Sequence, residues 1–434
     1  MNGTGAREER TPLRRVVMAS MIGTTIEWYD FFLYGSAAAL VFNRLFFPQY
    51  DPLTGTLLAF ATYAVGFFAR PVGGIVFGHY GDRIGRKKLL MLSLVLMGVA
   101  TVLIGLLPTY EQVGIAAPLA LIVLRLVQGF AVGGEWGGAV LMAAEHGDAA
   151  RRGFWASWPQ AGVAAGSLLS AGVLALLAGI QEEADFLAWG WRIPFVLSVV
   201  LVAVGWYIRN RVTESHTFEA ALEEAGTPPK LPALDVLRER PGAVVLGAGL
   251  RVGENISYYI LTVFSLTFLV DVAAESRSLA LNALLIGAAV QFFAIPLFAA
   301  LSDRIGRRWV YAFGGLGLAA WSFALFPLLA SGDNRAVVLA LVVGLVLHGA
   351  MYGPQAAMIA ELFPTRIRYS GASIAYQLTA IFAGSLAPLI AIWLYREYDS
   401  ALPVAIYVGT ACAISGITAL LARETRGVEL SEIR

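Results

Sequence analysis

The stretch LIVLRLVQGFAVGGEWGGAVLMAAEH, residues 121–146, decides how this chain must be built. At about 1.5 Å of rise per helical residue, it is long enough to cross a bilayer once. It nevertheless carries Arg125 and Glu135 well inside that length, where a charge costs at least ~2.5 kcal/mol. At about 100° per residue, Gln128 and Trp136 fall on the same helix face as these charges. This face must meet protein, water or ligand, either as a structural ion pair or as part of a polar translocation path.

The composition is that of a chain built to lie in a membrane. Of its 434 residues 58% are hydrophobic and 14% are charged, and the mean hydropathy is +0.70. Soluble domains carry about 25% charged residues, so we predict a polytopic membrane protein. The net charge of +1 gives no reason to expect a nucleic-acid partner. One cysteine excludes an internal disulfide, four scattered histidines speak against a metal site, and no cofactor is expected.

Twelve apolar segments have the length of membrane-spanning helices. The polar, Pro-rich segment 211–241 is much longer than the other connections, so we interpret it as a linker between two halves. The predicted organisation is a tail over 1–14, a six-helix bundle over 15–210, the linker over 211–241, a second six-helix bundle over 242–422 and a tail over 423–434. The predicted helices are 15–43, 54–78, 88–108, 115–145, 153–180, 190–210, 242–270, 278–301, 309–330, 336–360, 370–395 and 402–422.

The basic residues indicate which side of the membrane each loop occupies. If both termini are cytoplasmic, 23 of the 31 Lys and Arg residues lie on the cytoplasmic side, 5 lie outside and 3 lie within spans. This bias follows the positive-inside rule. We therefore predict a multi-pass protein with both termini in the cytoplasm.

One loop sequence occurs twice. The segment GDRIGRKK at 81–88 recurs as SDRIGRRW at 302–309, and a weaker match relates the regions of Glu145 and Glu361. Two repeats at nearly the same offset predict two halves with parallel topology. Each aspartate can pair with an arginine or bind a helix N-terminus, which favours a cytoplasmic gate over a basic turn that only satisfies topology. The predicted gate residues are Asp82, Arg83, Arg86, Glu145, Arg152, Asp303, Arg304, Arg307, Glu361 and Arg368.

Several longer motifs resemble those of known transporters. The segment 78–88 resembles the loop signature of the major facilitator superfamily, and Arg125-x-x-Gln128-Gly129 resembles its fourth-helix motif. The resemblance implies an all-α fold of two six-helix bundles that rock around a central site, in a transporter of the bacterial cytoplasmic membrane and not an enzyme. More narrowly, the chain resembles the metabolite:proton symporter family through IEWYDFFLYG at 26–35, RPVGG at 70–74, VQGFAVGGEWGG at 127–138, WRIPF at 191–195 and ELFPTRIRYSG at 361–371.

Charged residues inside the predicted spans indicate where protons could be carried. Glu27 and Asp30 lie about 18 and 22 Å from the start of the first helix, and Arg125 reaches a similar depth in the fourth. We predict that they cluster, so that an arginine moving between carboxylates changes how readily these hold a proton. Four such acids face three arginines, which leaves one acid without a permanent cation. The predicted proton-coupling residues are Glu27, Asp30, Arg125 and Glu135, with Arg70 as the partner of Glu135 and Glu254 as an alternative titrating acid.

A further arginine, Arg251 in the seventh helix, indicates the class of substrate. A guanidinium inside the membrane can bind a carboxylate through two parallel hydrogen bonds, which favours an anion, although Glu254 could simply neutralise it. Aromatic and amide side chains nearby supply walls for such a site. The predicted substrate-binding residues are Tyr34, Gln128, Trp136, Gln160, Arg251, Glu254, Asn255, Tyr258, Tyr352, Gln355, Tyr376 and Gln377.

These residues and the resemblance together predict a transporter. The favoured function is symport of protons with a small hydrophilic metabolite, an organic acid such as shikimate or another carboxylate, into the cell by alternating access. An uncoupled facilitator and a proline or betaine symporter of the same fold are the alternatives. The expected partners are the substrate, protons and the lipid bilayer, and the protein is expected to act as a monomer.

Overall fold

The computed structural model describes residues 13–84, 86–133, 149–211, 236, 238–364 and 368–428. In this part of the chain all regular structure is helical. The first half contains α1 (Leu13–Ala37, continued by the π-helical turn Ala38–Phe42 and by Asn43–Leu45), α2 (Pro52–Ile84), α3 (Arg86–Gly105), α4 (Ala116–Val132), α5 (Arg152–Ile180) and α6 (Arg192–Arg211).

The second half repeats this arrangement of six long helices. Its π-helical turns fall in the two helices that line the middle of the molecule. The helices are α7 (Pro241–Val272, with π-helical turns at Ile260–Phe264 and Phe268–Val272), α8 (Arg277–Ile305), α9 (Arg307–Leu329), α10 (Asn334–Ala360), α11 (Arg368–Thr379, continued by the π-helical turn Ala380–Ser385 and by Ala387–Tyr398) and α12 (Leu402–Leu421).

Eight of these helices, counted over the described residues, are long and apolar enough to cross a membrane by themselves. The others have identifiable reasons to fall short. Two acids interrupt the second half of α1, α3 is apolar only over Met91–Gly105, and α4 is described only as far as Val132. α6 reaches span length when it is joined to the bent segment Glu183–Gly190. The predicted all-α, multi-pass fold is confirmed.

The repeated loop motif forms a tighter break than the sequence predicts. α2 ends at Ile84 and α3 begins at Arg86, although the sequence predicts a loop over 79–87. In the second copy a single residue, Gly306, separates α8 from α9. Gly306 has a φ of 111°, a conformation that side chains disfavour, so one glycine makes the turn that the sequence assigns to several residues.

The helices pack as two bundles that meet along a central seam. In the first bundle α1 packs against α5, and α4 packs against α2 and α3. In the second bundle α10 packs against α8 and α9, and α12 packs against α7 and α9. Across the seam α5 contacts α8 and α10, α2 contacts α11, and α1 contacts α7.

Glycines allow α2 and α4 to touch backbone to backbone. A Cβ added at Gly129 would lie 1.9 Å from the carbonyl oxygen of Gly66, and one added at Gly73 would lie 1.9 Å from that of Phe130. Small residues at a helix crossing are the usual way in which membrane helices approach closely. A Cβ at Gly66 would also lie 2.8 Å from Nε of Arg125, so the same glycine makes room for this arginine.

The close crossing leads to a stability prediction. Gly129→Ala should lower the free energy of unfolding by about 1–3 kcal/mol, because the added methyl group forces the two backbones apart. Thermal unfolding of the purified protein in detergent measures this. Gly179→Ala in α5 is the matched control, because nothing lies within 4 Å of a Cβ at that position. Equal unfolding temperatures for the two variants would contradict the prediction.

Candidate functional site

A polar cavity lies inside the first bundle, between α1, α2 and α4. Its lining includes Glu27, Asp30, Arg70, Arg125 and Gln128, together with apolar residues and glycines. The structure thus brings three of the four predicted proton-coupling residues to one cavity. The fourth, Glu135, lies outside the described residues, as does the predicted Arg70–Glu135 pair.

Asp30 and Arg125 are connected through two intervening side chains. Ser198 donates to Oδ1 of Asp30 at 2.7 Å, and Thr101 donates to Oδ2 at 3.0 Å. Gln128 Nε2 donates to the Thr101 hydroxyl at 2.8 Å, and Arg125 Nη1 donates to Gln128 Oε1 at 3.1 Å. In this conformation Arg125 and Asp30 lie in one cavity lining, as the predicted cluster requires, but two other side chains stand between them. Depth along a helix cannot reveal that hydroxyls from α3 and α6 reach the carboxylate first.

Aromatic rings hold the guanidinium of Arg125. Its Cζ lies 4.9 Å from the ring centroid of Phe31, 4.4 Å from that of Tyr34 and 4.6 Å from that of Tyr63. Its Nε donates to the Tyr63 carbonyl at 3.4 Å, and Nη2 has no hydrogen-bond partner among the described residues. Cation–π contacts of this kind can stabilise a desolvated charge. The Tyr34 hydroxyl pairs with Thr62 at 2.6 Å, so Tyr34 presents its ring to Arg125.

A second polar cluster lies in the second bundle, between α7 and α10. Arg251 Nη1 lies 3.5 Å from Oε2 of Glu254 and donates to Oε1 of Gln355 at 2.9 Å. Gln355 Nε2 in turn donates to Oε2 of Glu254 at 3.2 Å. The Tyr376 ring lies 3.5 Å from the Arg251 guanidinium carbon, which fixes the plane of the group. Four predicted substrate-binding residues, from α7, α10 and α11, therefore lie in contact.

Two further residues complete this cluster on its far side. His348 Nε2 lies 3.3 Å from Oε1 of Glu254, and Gln291 Nε2 lies 2.8 Å from Nδ1 of His348. The imidazole therefore links Gln291 of α8 to Glu254 of α7. The Tyr258 ring stacks on His348 at 4.6 Å between centroids. Sequence reasoning missed Gln291, although an amide inside the apolar run of α8 is a usable signal.

An aromatic layer separates the two polar clusters. Tyr259 of α7 packs against Phe31, Tyr63 and Phe67, with ring centroids 6.0, 6.3 and 5.9 Å apart. The sequence predicts that helices 1, 4 and 7 converge on one wet cavity. In this conformation Asp30 and Arg125 line the cavity of the first bundle, whereas Arg251 lies in the cluster of the second bundle. The two clusters come near each other at Tyr376, which faces Arg70 and Glu27 as well as Arg251.

Other predicted substrate-binding residues are also buried near the seam. Gln160 of α5 and Asn255 of α7 are 1% and 4% exposed. Gln160 Nε2 and Asn255 Nδ2 have no hydrogen-bond partner among the described residues. Buried polar groups are nearly always hydrogen-bonded, so these amides are groups that a polar ligand would satisfy. Tyr352 is buried, Gln377 is half-buried, and Trp136 lies outside the described residues.

Buried charges join the two bundles at the terminal face, the side on which the described chain begins and ends. Arg152 of α5 lies 2.7 Å from Oε1 of Glu361, and Arg307 Nε lies 2.8 Å from its Oε2. Arg307 Nη1 also contacts Oδ1 of Asp303 at 3.2 Å. Asp303 accepts from two backbone N–H groups at the start of α5, each at 2.9 Å. Four predicted gate residues therefore meet across the seam.

The C-terminal segment extends this contact. Glu424 accepts from the backbone N–H of Arg307 at 3.1 Å, Thr425 donates to Glu361, and Arg152 donates to the Val428 carbonyl at 3.0 Å. Sequence reasoning missed this segment and assigned it only as a tail. The other predicted gate residues form no described contact between the bundles. Arg304 is exposed, whereas Glu145 and the side chains of Asp82, Arg83, Arg86 and Arg368 lie outside the described part.

Exposed charges join the bundles at the opposite face. Glu183 lies 2.6 Å from Nη1 of Arg44 and 3.3 Å from Nη2 of Arg277, which belongs to the second bundle. Arg396 of α11 lies 3.7 Å from Oδ2 of Asp51. Hydrogen bonds from the Thr54 side chain and backbone hold the pKa of Asp51 below its usual value. Sequence reasoning treated the arginines of this face as a minority in the charge count and missed their pairing.

Known proteins are similar to this chain in sequence and in fold. The profile of the family described as Sugar (and other) transporter matches residues 16–228 and 230–434. The chain is 42% identical over 416 residues to the shikimate transporter of Escherichia coli (strain K12), covering 95% of each chain. It is 41% identical over 427 residues to the inner membrane metabolite transport protein YhjE of the same strain, covering 96% of this chain and 97% of that one.

A solved structure has the same fold. The crystal structure of a D-xylose-proton symporter superposes with a TM-score of 0.74 at 20% identity, covering 96% of this chain and 99% of that one. At this identity the likeness supports the fold alone. The predicted resemblance is confirmed, as is the prediction of a transporter and not an enzyme. The chain belongs to the sugar (and other) transporter family of the major facilitator superfamily.

Proposed function

We propose that this protein imports a small organic acid together with protons across the bacterial cytoplasmic membrane. The observation that carries the proposal is the buried guanidinium of Arg251, 2% exposed and held by Glu254, Gln355 and the Tyr376 ring. An arginine fixed in this way is suited to bind a carboxylate bidentately. The similarity to the shikimate transporter of Escherichia coli, a relative at 42% identity, supports the same substrate class.

The first bundle supplies the groups that would carry the proton. Asp30 is 2% exposed and lines the polar cavity, with Ser198 and Thr101 donating to its two oxygens. Among the described residues it has no ion-pair partner, and the Gln128–Thr101 path connects it to Arg125. A carboxylate that is hydrogen-bonded but not neutralised can accept and return a proton when the cavity opens to either side.

The two faces supply the gates for alternating access. We propose that the terminal face is cytoplasmic, as the arginine count favours, and that its buried ion pairs break when the carrier opens inward. The exposed pairs of the opposite face would break when it opens outward. One copy of the chain carries both clusters and both gates, so a monomer suffices.

Uptake into proteoliposomes tests the proposed function. The purified protein should accumulate shikimate or another carboxylate above equilibrium when an inward acid gradient is imposed, and a protonophore should abolish accumulation. Labelled shikimate, 2-oxoglutarate, citrate, proline and glycine betaine form the panel. Equilibration without accumulation would favour the uncoupled facilitator, and accumulation of proline or betaine alone would favour the osmolyte symporter.

Neutralising Asp30 tests the proton route. Asp30→Asn should remove the dependence of uptake on the acid gradient while exchange of labelled for unlabelled substrate continues, because exchange needs no net proton movement. Asp399→Asn is the matched control, since Asp399 is exposed just beyond the end of α11 and lies outside the cavity lining. Protonophore-sensitive accumulation by Asp30→Asn would exclude Asp30 from this role.

A further inference from the structure

We propose that Glu254 is a second proton site, which is coupled to the substrate through exchange of partners on Arg251. The substrate carboxylate would take Arg251 from Glu254, and Glu254 would then bind a proton. This inference rests on the proposed function for the substrate class and adds a proton that Asp30 does not carry. It follows from the contacts of Glu254, of Arg251 and of the aromatic layer between the bundles.

Arg251 is the one arginine or lysine among the described partners of Glu254. Oε1 of Glu254 lies 3.3 Å from Nε2 of His348, and Oε2 receives Nε2 of Gln355 at 3.2 Å and lies 3.5 Å from Nη1 of Arg251. On the far side of the imidazole, Nδ1 of His348 lies 2.8 Å from Nε2 of Gln291. The contact with the permanently charged Arg251 is the longest of the three contacts of Glu254.

The contact between Arg251 and Glu254 is open to competition. It uses a single nitrogen, Nη1, which Arg251 shares with Gln355 at 2.9 Å. A substrate carboxylate that presents two oxygens to the guanidinium fork would form the shorter, bidentate arrangement that arginine favours. The Tyr376 ring, 3.5 Å from the guanidinium carbon, keeps the fork in one plane during the exchange.

Loss of Arg251 would leave Glu254 as a buried carboxylate held by His348 and Gln355, with no arginine or lysine among its described partners. Glu254 is 3% exposed, and an uncompensated charge at such a depth is expensive. A proton from the water that accompanies the substrate would bind Oε2 of Glu254. Gln355 Oε1, released from Arg251, is placed to accept the new O–H. When the substrate leaves on the other side, Arg251 returns to Glu254 and the proton passes to water, so charge and protons balance over the cycle.

No other acid competes for this proton within the described part of the second bundle's cluster. The groups that face Glu254 are a cation, an imidazole, phenols, a thiol and amides. By helix they are Arg251, Tyr258 and Tyr259 of α7, Tyr311 of α9, His348, Tyr352 and Gln355 of α10, Tyr376 of α11 and Cys412 of α12, with Gln291 of α8 behind His348. From the first bundle, Arg70 and Glu27 face the Tyr376 ring. The aromatic layer keeps Asp30 in the other bundle, so the two carboxyls take up protons separately.

The measurable consequence is the number of protons moved with each substrate. With shikimate, a monocarboxylate, the wild-type protein should move about two protons and therefore one net positive charge inward per cycle. Reversal-potential measurements in proteoliposomes, with set gradients of pH, potential and shikimate, give this ratio directly. Accumulation should also respond to an inside-negative potassium diffusion potential at equal pH.

Glu254→Gln should lower the ratio to about one proton and make transport electroneutral, so that the potential no longer drives accumulation. Glutamine keeps the shape of the side chain and can still accept from His348. Shikimate exchange by the variant shows that it is folded. Glu397→Gln, an exposed residue near the end of α11, is the matched control and should keep the wild-type ratio.

The outcomes separate this inference from the proposed function. If the wild-type protein accumulates no carboxylate in an acid gradient, the proposed function fails and the second proton fails with it. If it accumulates shikimate with about one proton, or if Glu254→Gln keeps the wild-type ratio, Glu254 is not a proton site and the proposed function stands. A wild-type ratio of about one overturns the inference even if the variant does not fold.

Discussion

Arg125→Ala should reduce proton-driven accumulation by about 100-fold or more, although the protein still reaches the membrane. Arg125 is the cation that the hydrogen-bond path through Gln128 and Thr101 connects to Asp30. Removing one member of a buried charged network costs about 3–5 kcal/mol, and each 1.4 kcal/mol is a factor of ten. Without this cation the buried carboxyl of Asp30 should release its proton less readily, because only the hydroxyls of Ser198 and Thr101 remain to stabilise its ionised form.

Two further variants make this prediction specific. Arg125→Lys keeps the charge but loses the planar group that lies over three rings, so it should restore only part of the accumulation. Leu126→Ala changes the neighbouring side chain, which is 40% exposed, and should transport normally. Accumulation is measured in proteoliposomes with equal amounts of folded protein. Normal accumulation by Arg125→Ala would remove Arg125 from the mechanism.

Glu361→Gln should open the terminal face. Glu361 accepts from Arg152 and Arg307, and its side chain is fully buried, so the substitution leaves two buried arginines with a weaker partner. Breaking such a pair costs about 3–5 kcal/mol, which corresponds to roughly a 100- to 4,000-fold change in the ratio of closed to open molecules. Hydrogen exchange at the start of α5, followed by mass spectrometry, should become faster.

The opposite face provides the control for this substitution. Glu183→Gln breaks a pair in which the glutamate side chain is 62% exposed, and exposed pairs contribute about 0–1 kcal/mol. Added salt should weaken the Glu183 contacts and leave those of Glu361 nearly unchanged. Similar effects of the two substitutions on hydrogen exchange would show that burial does not set the strength of these gates.

The fold could be predicted from the sequence because hydrophobicity and charge bias act over whole helices. Segment length gave the spans, and the duplicated DRIGR motif indicated two related halves. The exact breaks could not be predicted, since Gly306 alone separates α8 from α9 and no periodicity marks a single residue. In the first copy of the motif, α2 runs as far as Ile84, into a segment that looks like a loop by its charges alone.

The sequence allowed several residues of the candidate site to be named, but not the contacts between them. Charged residues inside apolar helices stand out in a sequence, which is why Asp30, Arg125 and Arg251 could be named. Their partners are residue types that are common in any helix. Thr101 gives no comparable signal, and only the packing of α3 brings its hydroxyl to the carboxylate of Asp30. Which partner an arginine contacts depends on distances of a few ångströms that helical periodicity cannot supply.

The return of the C-terminal segment to the terminal face matters for handling the protein. Thr425 and Val428 contact the same two side chains, Glu361 and Arg152, that join the bundles there. A purification tag or fluorescent reporter fused at this end would pull on those contacts. Antibodies or nanobodies raised against protein labelled in this way would then favour molecules whose terminal face is open. Immobilisation through the other terminus would leave these contacts undisturbed.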